Sequence, residues 1–206
     1  VYSYILSRQG ERWRNFREDP EDCTDSFILC REMLLEKGYD APAVHEFRKL
    51  LEEKKGHVYD VHHWQLPVDP DSDTFILIDD AAGCGYSEYA QVFAGYCEKN
   101  ALSFVNEASS VFLGFEFFAY GLVEEGIRHL RQVIEAVEKS GAKRVLVLSA
   151  QAKYMLTTMA SKTGIDHELK VVYLPEIMKP IHSGKKTYVY AGSFNSRYLC
   201  NSDFLN

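Results

Sequence analysis

Thr74-Phe-Ile-Leu-Ile-Asp-Asp-Ala-Ala-Gly-Cys-Gly85 is the stretch whose reading decides the fold. Phe75 to Ile78 is a continuous apolar run, the mark of a strand covered on both faces. The run breaks off at Asp79-Asp80 into a turn of small residues, and helical spacing follows from Ser87 to Lys99. A buried strand, a Gly-containing turn and a helix form the first half of a βαβ unit.

The same alternation continues downstream. Leu102 to Val105 reads as a short strand. Gly121 to Ser140 puts Val123, Ile127, Leu130, Ile134 and Val137 on one helical face, with Gly141 as its stop. Arg144 to Leu148 is a buried strand, Ala152 to Lys162 a helix and Lys170 to Leu174 a strand. Pro175 to Met178 starts a short helix, and Thr187 to Tyr190 is a last strand. The expected fold is α/β, a mostly parallel doubly wound sheet with a helical N-terminal extension. Its strands fall near 74–79, 102–105, 144–148, 170–174 and 187–190.

Upstream the pattern is helical and polar. Ser26 to Lys37 carries Phe27, Cys30 and Leu34 at helical spacing and ends at Gly38. Asp40 stands at the cap position of a second helix, with Pro42 in its first turn and Val44, Phe47, Leu50 and Leu51 as the buried stripe. His57 to Asp73 reads as an irregular connection. Residues 1–70 are therefore assigned to the extension and 71–206 to the α/β domain, a length that buries a sizeable core.

A net charge of -7 and a pI near 5.5 argue against nucleic acid or an anionic membrane surface as the main partner. No apolar stretch reaches the length of a membrane span. The five cysteines, Cys23, Cys30, Cys84, Cys97 and Cys200, are odd in number and irregularly spaced, which favours a reducing, cytoplasmic compartment over a disulfide framework.

Chemistry-bearing patterns are sparse. Gly83-Cys84-Gly85 sits where doubly wound sheets bind ligands, but Glu88 stands where a dinucleotide fingerprint needs its third glycine. Cys84, at a helix start, is a candidate for a lowered thiol pKa, with His62-His63 as the nearest basic pair in sequence. Asp79-Asp80 reads either as a Mg²⁺ site or as a capped, solvated strand end, and the second reading is favoured. The histidines show no zinc-ligand spacing. The aromatic run from Phe112 to Tyr120 belongs to the core or to an interface.

Together these segments resemble the cysteine-rich CCG domain of heterodisulfide reductase and glycolate oxidase iron–sulfur subunits. That module runs from a strand and an isolated Cys to Cys-Cys-Gly, then a long helix, a strand and Cys-Pro-x-Cys, before repeating. Ile76 to Cys84 resembles the strand and isolated Cys, and Glu107-Ala-Ser-Ser-Val111 stands at Cys-Cys-Gly. Lys143 to Leu148 resembles the strand before Cys-Pro-x-Cys, which here is Ser149-Ala-Gln-Ala152. Val171 to Ile177 and Lys186 to Phe194 resemble the stretches that close one module and open the next, with Ser193 in place of a Cys.

Carried over residue by residue, the resemblance marks Cys84, Ser109, Ser110, Ser149, Ala152 and Ser193 as vestigial ligand positions, of which only Cys84 keeps a sulfur. Clusters are held by thiolates, and serine or alanine is no substitute. The resemblance thus implies a degenerate domain with no catalytic residues, no cofactor and no metal. Such a domain would act as an interaction or scaffold subunit of a redox assembly, beside a ferredoxin-type or flavin subunit. The alternative is an iron–sulfur oxidoreductase subunit whose ligands a partner chain or a further segment completes.

Overall fold

The computed structural model describes residues 24–84, 87–178 and 194–199. Its centre is the apolar run. β1 (Thr74–Asp79) pairs in parallel with β3 (Arg144–Val147), from Thr74 opposite Arg144 to Leu77 opposite Val147. β3 pairs in parallel with β4 (Lys170–Tyr173), and β1 with the short β2 (Ser110–Val111). The order β2-β1-β3-β4 means that the chain leaves β1 on one side and later returns to the other. The β1/β3 boundary is the topological switch point, where open α/β sheets place their ligands.

Alternation along each strand sorts the core into two layers. Ile76, Ile78 and Leu146 point to one face, against Phe93 and Cys97 of α4 (Ser87–Lys99) and Trp64 of the incoming connection. Leu77, Val145 and Val147 point to the other, against Leu130, Ile134 and Val137 of α6 (Val123–Lys139). All but Phe93 and Trp64 are at most 2% exposed, so each aliphatic side chain among them contributes about 1.5–3 kcal/mol by burial. Helices on both faces of a parallel sheet are the expected doubly wound α/β arrangement.

Between β1 and α4 lies the four-residue α3 (Asp80–Gly83), and after β2 comes α5 (Phe115–Ala119). α5 is the aromatic run. Phe115 and Phe118 enter the sheet core, while Phe112, Phe117 and Tyr120 surround Phe47 at centroid distances of 5.2–6.2 Å. The run is therefore core, and it joins the sheet layers to the N-terminal helices. The helix expected at Ala152 to Lys162 is interrupted: α7 (Ala150–Tyr154) passes through a π-helical turn (Met155–Met159) into α8 (Ala160–Lys162). α9 (Leu174–Ile177) follows β4 directly, and a π-helical turn at Phe194–Tyr198 packs on α7. The expected strand at Thr187 to Tyr190 lies outside the described residues.

The strand expected at Leu102 to Val105 is absent as such, and the edge strand is Ser110–Val111 instead. Phe104 makes only an isolated parallel bridge to Val68, and Val105 N–H donates to Thr74 O at 2.9 Å. Beyond Val105 a side chain replaces the ladder. Asn106 Oδ1 accepts from Ile76 N–H at 2.8 Å, and its Nδ2 donates to Ile76 O at 3.0 Å, so one amide imitates a strand peptide. Asn106→Ala should strand both groups of Ile76 at the sheet edge and cost about 2–3 kcal/mol. Urea unfolding would show this as a lower midpoint at unchanged slope, and a loss under about 0.5 kcal/mol would rule it out.

The extension begins with α1 (Thr24–Glu36) and α2 (Pro42–Glu53). Two expectations change here. Ala41, not Asp40, is the N-cap of α2; the Asp40 carboxylate is drawn to His45 Nε2 at 2.9 Å. Cys30 does not join the buried face of α1: it is exposed, while its neighbour Arg31 is 1% exposed and donates from Nη1 to Ala119 O. No helix among the described residues is long and apolar enough to cross a membrane.

Candidate functional site

The switch point is built from the last residue of β1 and the second residue after β3. Asp79 ends its strand in an extended conformation and becomes the N-cap of α3, accepting Ala82 N–H at 3.4 Å. Ser149 is likewise the N-cap of α7 and accepts Ala152 N–H at 2.9 Å. The two caps are joined, since Ser149 Oγ donates to Asp79 Oδ2 at 2.6 Å. Both helix starts are satisfied by short side chains reaching their third residue. Burial pushes the Asp79 carboxyl up to about 6, against the opposing hydrogen bonds from Ser149 and Ala82, and the nearby Asp80 charge adds to the rise.

Asp80 faces the other way. Its Oδ1 meets His57 Nδ1 at 2.6 Å, and its Oδ2 accepts Val58 N–H at 2.8 Å. Three residues further on, Gly83 O accepts His62 N–H at 2.9 Å. The connection expected to be irregular is therefore strapped across the carboxyl end of β1, and Trp64 anchors it in the core at 5% exposure. Asp79 and Asp80, at 1% and 3% exposure, are not the solvated strand end the sequence suggested. Burial of a carboxylate requires full pairing, and each here is paired.

The marked positions do not share one fate. Cys84 follows α3, is exposed, and its Sγ donates to Ala81 O at 3.3 Å. Ser109 is exposed before β2. Ser110 stands in β2 with a buried Oγ that meets no hydrogen-bond partner among the described residues. That oxygen lies 2.3 Å from where a Cβ on Gly83 would sit, so a side chain there would force the Ser110 hydroxyl aside. Ala152 is fully buried, its methyl part of the core beneath α7. Ser193 lies outside the described residues. His62 and His63 are exposed, and His57 is the histidine that meets a carboxylate at this edge of the sheet.

A thiolate-held cluster does not fit these residues. The described positions offer one thiol, three hydroxyls and a methyl, and only thiolate is a good ligand to such iron. Cys97 offers no second ligand beside Cys84: the stretch of α4 from Ser87 to Cys97 alone rises about 15 Å. It is fully buried in the core, where burial pushes its thiol up to about 11. Among the described residues no three of His, Cys, Asp and Glu come together as metal ligands. Cavities of about 140, 280 and 350 Å³ lie elsewhere, around Leu102 and Arg144, around Leu156 and His167, and around Phe47 and Glu116.

No family model, no curated protein and no solved structure matches the chain.

The residue at this sheet edge that sequence reasoning missed is His57. Its partner Asp80 was visible as a charge at a strand end. The only local signal that such a charge is buried is the unbroken apolar run before it.

Proposed function

We propose that the chain is a degenerate CCG-like domain that acts by contact with other subunits of a redox assembly and carries out no electron transfer itself. The observation that carries this reading is the state of Ser149 and Ala152 at the switch point. Where the resemblance expects two ligating sulfurs, Ser149 is committed to capping α7 and to Asp79, and Ala152 is sealed in the core. Both positions serve the fold, so neither side chain is free to turn toward a ligand. The neighbouring Asp80 is committed as well, to the strap at His57 and Val58. A domain whose ligand edge is occupied by its own caps offers its outer faces to partners. The partners this reading implies are a ferredoxin-type or a flavin subunit.

Anaerobic reconstitution of the purified protein with iron and sulfide tests the reading. The expected outcome is no stoichiometric iron after desalting, no absorption near 400 nm and no electron paramagnetic resonance signal on reduction, for wild type and Cys84→Ala alike. Stoichiometric cluster uptake by wild type that Cys84→Ala abolishes would establish the oxidoreductase reading in its place.

A further inference from the structure

We infer that the outer face of α4 is a homodimer interface, on which a second copy of this chain packs its own α4 in antiparallel orientation. The inference is independent of the reading above.

α4 is pinned to the sheet by Phe93 and Cys97, which are 7% and 0% exposed. At 100° per residue, Glu88, Val92, Gly95 and Lys99 form one line on the side away from that buried face, with Gln91 and Glu98 beside it. The four in line are spaced four, three and four residues apart, which is the seam spacing of helix pairs. Along a lone solvated helix this seam should be polar. Instead Val92 is 72% exposed at its middle, with Tyr89, 62% exposed, on its flank. Gly95 has no reason to be glycine within one chain, since a Cβ there would meet nothing within 4 Å. Glycine in a helix interior costs about 1 kcal/mol relative to alanine, so a partner at that spot explains what the monomer does not.

The seam is its own complement when reversed. An isologous two-fold contact requires that if residue i meets j, then j meets i. Reversing the seam about the midpoint between Phe93 and Ala94 puts Glu88 against Lys99 of the partner copy and Val92 against Gly95, each pair occurring twice. The isopropyl group of Val92 fills the gap left by the glycine opposite, and the closer backbone approach brings the terminal charges within reach. Neither Glu88 nor Lys99 has an ion-pair partner among the described residues, so both are available. The same reversal rejects a parallel pairing, which would set Glu88 against Glu88 and Lys99 against Lys99. A helix of 13 residues is about 20 Å long, so the contact lies at or below the roughly 1,200 Å² of specific interfaces, and the dimer is weak and reversible.

Sedimentation equilibrium from about 10 μM to 1 mM is the test, spanning the range expected of a weak contact. Wild type should fit a monomer–dimer equilibrium. Glu88→Lys and Lys99→Glu should each weaken it by about tenfold, because each turns two attractive pairs into two repulsive ones. Val92→Asp should abolish it. An equimolar mixture of the Glu88→Lys and Lys99→Glu proteins should regain the dimer, as should the double variant Glu88→Lys/Lys99→Glu. Recovery on mixing cannot come from either protein being misfolded alone. A wild type that stays monomeric throughout, or is monomeric but held by a different protein, overturns the proposal. So does a dimer indifferent to Val92→Asp, or a mixture no more associated than its components.

Discussion

Gly121→Ala is expected to destabilise the domain by about 3–5 kcal/mol. Gly121 follows α5 and has φ +80°, a conformation that costs a residue with a Cβ about 1–2 kcal/mol. The greater cost is steric. A Cβ there would lie 2.6 Å from Glu32 N and 2.7 Å from the backbone carbon of Arg31, within the middle of α1. Backbone cannot rotate aside as a side-chain tip can, so α1 must move away. Two features would be lost with it: the Arg31 bond to Ala119 O and the packing of Leu34 near Tyr120 and Leu122.

The control is Gly141→Ala. Gly141 has nearly the same φ, +77°, but a Cβ would meet nothing within 4 Å, so only the conformational cost of about 1–2 kcal/mol applies. The difference between the two variants in urea unfolding isolates the contact between the turn and α1. Amide exchange adds a local readout, because α1 should lose protection in Gly121→Ala before the sheet does. Equal losses in the two variants would show that α1 does not depend on this approach.

Gly121 also marks where sequence reasoning stops. Hydrophobic periodicity reports which side of an element faces the core, and for β1, β3, β4 and α6 it placed the residues in their observed elements. Leu130, Ile134 and Val137 are buried as their spacing requires. Periodicity is silent about polar pairings between distant segments. Asn106 serves Ile76 across 30 residues, His57 serves Asp80 across 23, and Ser149 serves Asp79 across 70. None has a local signature, because Asn, His and Ser are as common in exposed loops as in such contacts. Arg31 defeats the pattern outright, being a cation on the buried face of α1 where Cys30 fitted the apolar spacing better. Of the candidate site, the sequence located the strand end and the Ser149 turn, but not that the two are hydrogen-bonded to each other.

Burial of Asp79 makes the stability of the domain depend on pH in a direction opposite to the usual acid denaturation. Asp79 is about 6 in the folded protein and 3.8 in the unfolded reference, so between those values the folded state binds the extra proton. Stability from this group is therefore fully present below pH 3.8 and is lost as pH rises through about 6, and the loss amounts to about 3 kcal/mol. Asp60 and Asp73, lowered by hydrogen bonds from Lys54 and Arg144, lose stability in the opposite sense as the pH falls toward the acid end, so the wild-type curve alone does not isolate Asp79. Comparison with Asp79→Asn does. Asparagine keeps an acceptor for the Ser149 hydroxyl and gives up the long bond from Ala82 N–H, while the remaining groups titrate alike in both proteins. At pH 7.5 the variant should lie within about 1 kcal/mol of wild type, because relief of the buried charge offsets the lost cap. At pH 4 wild type should be ahead by about 2 kcal/mol more than at pH 7.5. Urea midpoints of the two proteins, measured at half-unit steps from pH 4 to 8, give the difference directly. A difference constant across that range would mean that Asp79 stays ionised throughout, and that its pairing with Ser149 outweighs its burial.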